Sequence, residues 1–269
     1  MAAAVAMRLV PAKSVPRALS IIFSGIAVGT VVSIPLGSYL GGLYGWRSAF
    51  IAATAVGVLT LLFQLFTLPG MAPRRMMITA SVMDLLRRPG IAMGMTGCVM
   101  AHTGQYALFT YIRPALENIA QLDVDRLSLI LLGFGIANFI GTLLTGWLME
   151  RSLRLTLILM PALVGLAALS MILLPLEEKG LMLFVALWGM AFGGVPVAWS
   201  NWVARSVPDQ AETAGGMVVA AVQSSIAAGA ALGGLLFGIS GVTGVFITAG
   251  CIMFFAALII GLKVRVALT

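Results

Sequence analysis

His102, the only histidine in the chain, is followed at spacings of three, four and seven residues by Gln105, Tyr106 and Phe109, inside a stretch that carries no charge from 91 to 112. On a helix these positions share one face. That stripe offers an imidazole, an amide, a phenol and a phenyl ring, and continues toward Tyr111, Arg113 and Pro114. Asn138 and Thr142 lie one turn apart in a second apolar stretch. Gln223, Ser224 and Ser225 lie midway along a third, and Trp199, Ser200, Asn201 and Trp202 close a fourth. Their chemistry is hydrogen bonding and stacking on a small polar or aromatic solute. Polar side chains at membrane depth are costly and face a bundle interior or a water-filled cavity. The competing role is interhelical hydrogen bonding, worth about 1 kcal/mol per contact. Ser224, Ser225 and Thr142 favour that second role, His102, Gln105 and Asn138 a cavity, and Trp199 and Trp202 also suit an interfacial aromatic belt.

Catalysis is poorly supported. The sequence has no His-Glu-x-x-His, no Gly-x-Ser-x-Gly and no phosphate-cradling Gly-rich loop with Lys-Ser/Thr. Cys98 and Cys251 stand alone inside apolar segments, so neither points to a disulfide or a metal. No cofactor and no metal are expected. All nine carboxylates fall in flanks or loops, so no proton-exchanging acid is assigned.

The elements that hold these residues follow from composition. Apolar residues make up 61% of the 269 and charged residues 9%, against about 45–50% and about 25% in soluble domains. Eight segments of bilayer-spanning length stand out, at about 18–43, 48–68, 91–112, 127–149, 155–175, 181–203, 213–238 and 243–262. They are continuously apolar without barrel alternation, so the expected fold is all-α, a polytopic transmembrane helix bundle. Of the 16 Lys and Arg residues, four (Arg47, Arg113, Arg126 and Lys179) fall on one set of flanks and the rest on the other. The positive-inside bias places the larger set, and both termini, in the cytoplasm. The net charge of +7 therefore reflects topology and contact with the lipid bilayer, not nucleic acid.

Leu36-Gly37, Leu40, Gly42, Gly45 and Phe50-Ile51 recur as Leu232-Gly233, Leu236, Gly238, Gly241 and Phe246-Ile247, at a constant offset of 196. The copies fall in the first and seventh segments, so the repeating unit is six spans. Residues 1–68 are then expected to be the remnant of a first half (the end of helix 4, then helices 5 and 6). Residues 69–90 form a cytoplasmic linker, and 91–269 a complete six-helix second half. On this reading residues 1–7 are the tail of a helix, and four upstream helices are expected. The linker holds Ser81-Val-Met-Asp84, a capping pattern, before Leu85-Leu86-Arg87-Arg88. It is expected to form a short amphipathic helix on the inner face. Glycines three or four apart let helix backbones approach in lipid; Gly25/Gly29, Gly37/Gly41 and Gly229/Gly233 are such pairs, expected to pack the first-half remnant on the second.

Gly25, Gly29, Pro35-Leu36-Gly37, Gly41-Gly42 and Gly45-Trp46-Arg47 together resemble the antiporter motif of the twelve-span drug/proton antiporter branch of the major facilitator superfamily. Ile34-Pro35 replaces the usual Gly-Pro pair. Gly146-Trp-Leu-Met-Glu150-Arg151-Ser-Leu-Arg154 is similar to the family's Gly-x-x-x-Asp-Arg loop, with Glu for Asp. A closer resemblance is to bacterial purine ribonucleoside efflux permeases. It is carried by Met7-Arg-Leu-Val-Pro11, Val15-Pro16-Arg-Ala-Leu-Ser20, Gly104-Gln105, Phe109-Thr-Tyr-Ile-Arg-Pro114, Phe134-Gly-Ile-Ala, Pro196-Val-x-Trp199-Ser200 and Asp209-Gln-Ala-Glu212.

The resemblance implies a transporter of the bacterial inner membrane that couples efflux of a small-molecule substrate to protons. Amides and hydroxyls would pair with the base and ribose, aromatics would stack, and the coupling carboxylate would lie in the part of the first half not seen here. The cavity would draw on His102, Gln105, Tyr106, Phe109, Asn138, Trp199, Asn201 and Gln223. The alternative is a truncated, non-transporting membrane polypeptide, or one that needs a partner supplying further helices.

Overall fold

The computed structural model describes residues 15–68, 82–120 and 122–264. Residues 1–7, and the linker as far as Ser81 of the capping pattern, lie outside the described residues. Among those described, the regular structure is helical: α1 (Val15–Tyr44), α2 (Trp46–Thr67), α3 (Val82–Leu86), α4 (Ile91–Thr110), α5 (Ile112–Ala120), α6 (Val124–Leu173), α7 (Glu178–Gly193), α8 (Val195–Ser206) and α9 (Ala211–Lys263), with a 3₁₀ turn at Pro208–Gln210. Continuous Ala, Leu, Gly and Met runs adopt this form because a helix satisfies its backbone polar groups internally, which lipid cannot do.

Among the described residues, five stretches are long and apolar enough to cross a membrane: Trp46–Thr67, Val124–Met149, Arg151–Leu173, Glu178–Val203 and the 50-residue Thr213–Leu262. The two longest helices each bend where the sequence places a loop. α6 breaks at Ser152 (φ −164°, ψ 107°), whose hydroxyl accepts from Leu155 N at 3.2 Å and so caps the following helix. α9 breaks at Gly241 (φ 63°, ψ −156°). Its repeat counterpart Gly45 joins α1 to α2 with φ 80° and ψ 159°. Both torsions lie in a region open essentially to glycine alone, so the two copies share an unusual turn as well as a residue pattern. The 91–112 segment ends sooner than expected: α4 stops at Thr110, and Arg113 and Pro114 belong to the short α5.

Packing is uneven. α4 lies along α9 so closely that a Cβ on Gly229 would meet Thr103 O at 2.5 Å, and one on Gly233 would meet the Tyr111 ring at 2.7 Å. The first-half copy behaves differently. A Cβ on Gly25, Gly29 or Gly37 would meet nothing within 4 Å, while Gly41 and Gly42 abut Arg113 and Val124. Of the glycine face expected on α1, only its Gly41–Gly42 end therefore meets the second half. Further along α1 the close approach comes from the other side, where Gly135 of α6 has Val31 Cα 2.8 Å from the place of its missing Cβ. α2 contacts chiefly α1 and has no buried residue. α3, the short linker helix, buries Leu85.

The loops pair within the two charge sets. Arg88 holds Asp209 with two hydrogen bonds of 2.9 and 2.7 Å, and Arg154 donates to the carbonyl of Gly261. Both pairs join flanks of the strongly basic set. Arg126 donates to Glu178 at 2.9 Å, joining two flanks of the other.

Candidate functional site

The candidate site is built where α4, α6 and α7 meet. α7 carries Trp188 and Gly189 side by side, and each binds an amide from a different neighbour. The indole N–H of Trp188 donates to Oε1 of Gln105 on α4 at 2.8 Å. The carbonyl of Gly189 accepts from Nδ2 of Asn138 on α6 at 3.2 Å. Close approach makes this possible, since a Cβ on Gly189 would meet Phe134 O at 2.4 Å, and one on Gly193 would meet Asn138 O at 2.0 Å. Thr142 reinforces the seam by donating to Gly193 O at 2.8 Å. Asn138 and Thr142 thus tie α6 to α7.

Gln105 is 1% exposed, and its Nε2 has no hydrogen-bond partner among the described residues. Buried donors of this kind are few in native structures. Trp188 is fully buried, with Phe134 (5.5 Å) and Phe246 (6.3 Å) edge-on to its ring. Beside this packed core lies a half-buried aromatic wall. Tyr106 meets Phe109 at 6.4 Å and Phe192 at 6.1 Å, both edge-on, and Phe109 lies 5.6 Å from Phe134.

The other sequence-selected residues scatter. His102, one turn from Gln105, is buried and donates from Nδ1 to Cys98 O at 2.8 Å. Trp199 and Trp202 are buried and edge-on at 5.4 Å. Gly97 and Gly94 make room for them on α4, so neither belongs to an interfacial belt. Asn201 is half-buried; Gln223 and Ser224 face outward on α9, while Ser225 is buried and donates to Ala221 O at 2.7 Å. In the 146–154 loop, Arg151 stacks 4.0 Å over Trp147; Gly146 has open space around it, and the Glu150 side chain is outside the described ones. A separate polar pocket at the loop end is lined by Asp123, Arg126, Glu177 and Glu178 among others.

Trp188 and Phe192 were not selected from the sequence. The available signal was chemical: an indole N–H in the middle of an apolar span needs an acceptor, and Gln105 is an amide at similar depth on another span.

The chain matches the family model described as Major Facilitator Superfamily over residues 1–210 and again over 94–267. The chain belongs to this superfamily. Among its relatives are proteins named purine ribonucleoside efflux pump NepI. Those of Salmonella enteritidis PT4 and Salmonella typhimurium are 42% identical to it over 266 residues, 99% of this chain and 67% of the relative. That of Salmonella paratyphi A is 42% identical over 264 residues, 98% of this chain and 66% of the relative. The chain spans about two thirds of the length of these pumps. As a facilitator-type bundle it is a multi-pass membrane protein, and the α4–α6–α7 junction is part of its helical core.

Proposed function

We propose that this chain serves in proton-coupled efflux of purine ribonucleosides across the bacterial cytoplasmic membrane. The observation that carries the reading is the 42% identity, sustained over nearly the whole chain, with pumps of that name. The site supplies fitting chemistry. Gln105 offers unpaired amide donors, and Tyr106, Phe109 and Phe192 offer ring faces and edges for a base. His102 and Asn138 border this group, whereas Trp199 and Asn201 on α8 and Gln223 on α9 lie apart from it.

Residues 91–269 are read as one six-helix half and 1–68 as part of the other, joined through 69–90, with both termini cytoplasmic. Alternating access then rocks one half against the other. α1, held on α6 by the Val31–Gly135 contact, lies at that seam. No residue here is assigned the coupling proton.

The test measures labelled inosine flux in proteoliposomes under an imposed pH gradient. It compares the chain alone with the chain joined to the portion of the Salmonella typhimurium pump outside the match. Gradient-dependent inosine movement that a protonophore abolishes is the expected result for the joined protein. Movement that ignores the gradient removes proton coupling. Absence of flux in both preparations, with membrane protein levels normal, overturns the reading.

A further inference from the structure

Arg151 differs from the other arginines in what it pairs with. Arg88, Arg113 and Arg126 each hold a carboxylate. Among the described residues Arg151 holds none, and its guanidinium lies instead 4.0 Å over the ring of Trp147, one turn back on α6. Arg154 follows just past the break at Ser152. It gives an N–H to the carbonyl of Gly261 and also has no carboxylate partner among the described residues. Even with Glu150 beside them, the two arginines leave this end of α6 with surplus positive charge. Stacking fixes the plane of the Arg151 guanidinium, whose N–H donors all lie in that plane. The indole covers a face and not the donor edges, so the fork that fits two oxygens of a phosphate stays free.

Trp147 also ends an apolar stripe. Ile136, Ile140, Leu143, Leu144 and Trp147 are 45–64% exposed and share one side of α6. Gly135 meets α1, and Asn138 and Thr142 meet α7, so the stripe points away from both neighbours. From Ile136 to Trp147 it runs about 16 Å at 1.5 Å per residue, close to half the hydrocarbon thickness of a bilayer, about 15 Å. We infer that Trp147 and Arg151 form a binding site for one anionic phospholipid, in the leaflet on the strongly basic side of the bundle. Its phosphate sits on the Arg151 fork and an acyl chain lies along the stripe. An uncompensated cation at the end of an apolar track one leaflet long calls for a negative headgroup joined to a hydrocarbon chain. A soluble anion makes no use of the stripe, and a zwitterionic lipid brings a cation that the surplus charge repels. Trp147 is the positioning residue, and Arg151 the contact.

The test is native mass spectrometry of the purified full chain in neutral detergent, titrated with phosphatidylglycerol or with phosphatidylethanolamine of the same acyl chains. The wild type should retain phosphatidylglycerol about fivefold more strongly, the effect of one basic residue at an anionic lipid surface. Arg151→Gln should remove that preference. Arg151→Lys keeps the charge but loses the planar fork and should keep only part of it. Trp147→Leu keeps an apolar side chain, releases the guanidinium and should weaken retention about two- to fivefold. Arg87→Gln removes an exposed charge on the same set of flanks, away from the stripe, and should change nothing. Trp147 and Arg151 are themselves exposed, so the variants leave the core intact, and the wild-type preference is read without them. Equal retention of the two lipids by the wild type overturns the proposal. So does an equal loss in Arg151→Gln and Arg87→Gln, the signature of diffuse attraction. Inorganic phosphate held as tightly as phosphatidylglycerol assigns the arginine to a soluble anion and overturns it too.

Discussion

Phe50 and Phe246 hold the same place in the two copies of the repeat, yet Phe246 is fully buried, 6.3 Å from Trp188, while Phe50 is 68% exposed on α2. One position in the pattern has two environments because α9 returns into the bundle and α2 leans chiefly on α1.

Phe246→Ala should therefore lower stability strongly, by about 2–3 kcal/mol from the cavity alone, because in lipid the loss is packing more than transfer from water. Phe50→Ala should change little. Thermal unfolding in one detergent, followed by tryptophan fluorescence, compares the two. Equal losses would mean that α2 is covered in the folded protein.

Gln105→Leu should destabilise for a reason separate from substrate. It leaves the Trp188 N–H buried without an acceptor, a penalty of about 1–3 kcal/mol. Adding Trp188→Phe to Gln105→Leu removes the orphaned donor and should recover part of the loss. A double-mutant cycle on unfolding midpoints reads this coupling; purely additive losses would deny the hydrogen bond an energetic role.

Gly45→Ala and Gly241→Ala each force a side chain into a conformation with φ of 80° and 63°, a strain of about 1–3 kcal/mol. Gly133→Ala, in open space within a helix, should be neutral or slightly stabilising. Comparing the three midpoints tests whether the shared turn constrains both copies; a harmless Gly45→Ala would show that α1 and α2 can part without strain.

The Arg88 guanidinium holds the Asp209 carboxyl below the ordinary carboxylate range. The sign follows: the pair's contribution is present above that range and fades as pH falls through the lowered folded value. Both groups are exposed, so the effect is small and weakened by salt. Asp209→Asn should lower the unfolding midpoint slightly at neutral pH and match the wild type in strong acid. A gap that persists at low pH would point to packing rather than charge.

That the apolar segments are helices could be read directly because in lipid a long uncharged run has only one common way to satisfy its backbone. Their breaks were legible where chemistry marked them, at Gly241 and near Ser152. The docking face of α1 was not, because a close approach needs a missing side chain on one helix only, and Gly135 of α6 supplies it where Gly25 and Gly29 do not. The candidate site was half legible. Gln105, Tyr106 and Phe109 announce themselves as a polar and aromatic stripe in an apolar span. Trp188 reads as one more large apolar residue until the structure supplies the acceptor of its N–H.

Gly45 and Gly241 also hold one constraint in common across the two copies. Around them the side chains have drifted: Ser48 answers to Gly244, and Tyr44 to Ser240. Phe50 kept its type while Phe246 acquired a different neighbourhood. What has not drifted is the sign of one torsion angle, because any Cβ at that point is expensive whatever surrounds it. One backbone geometry thus ties both copies to the same residue type whatever packs around it.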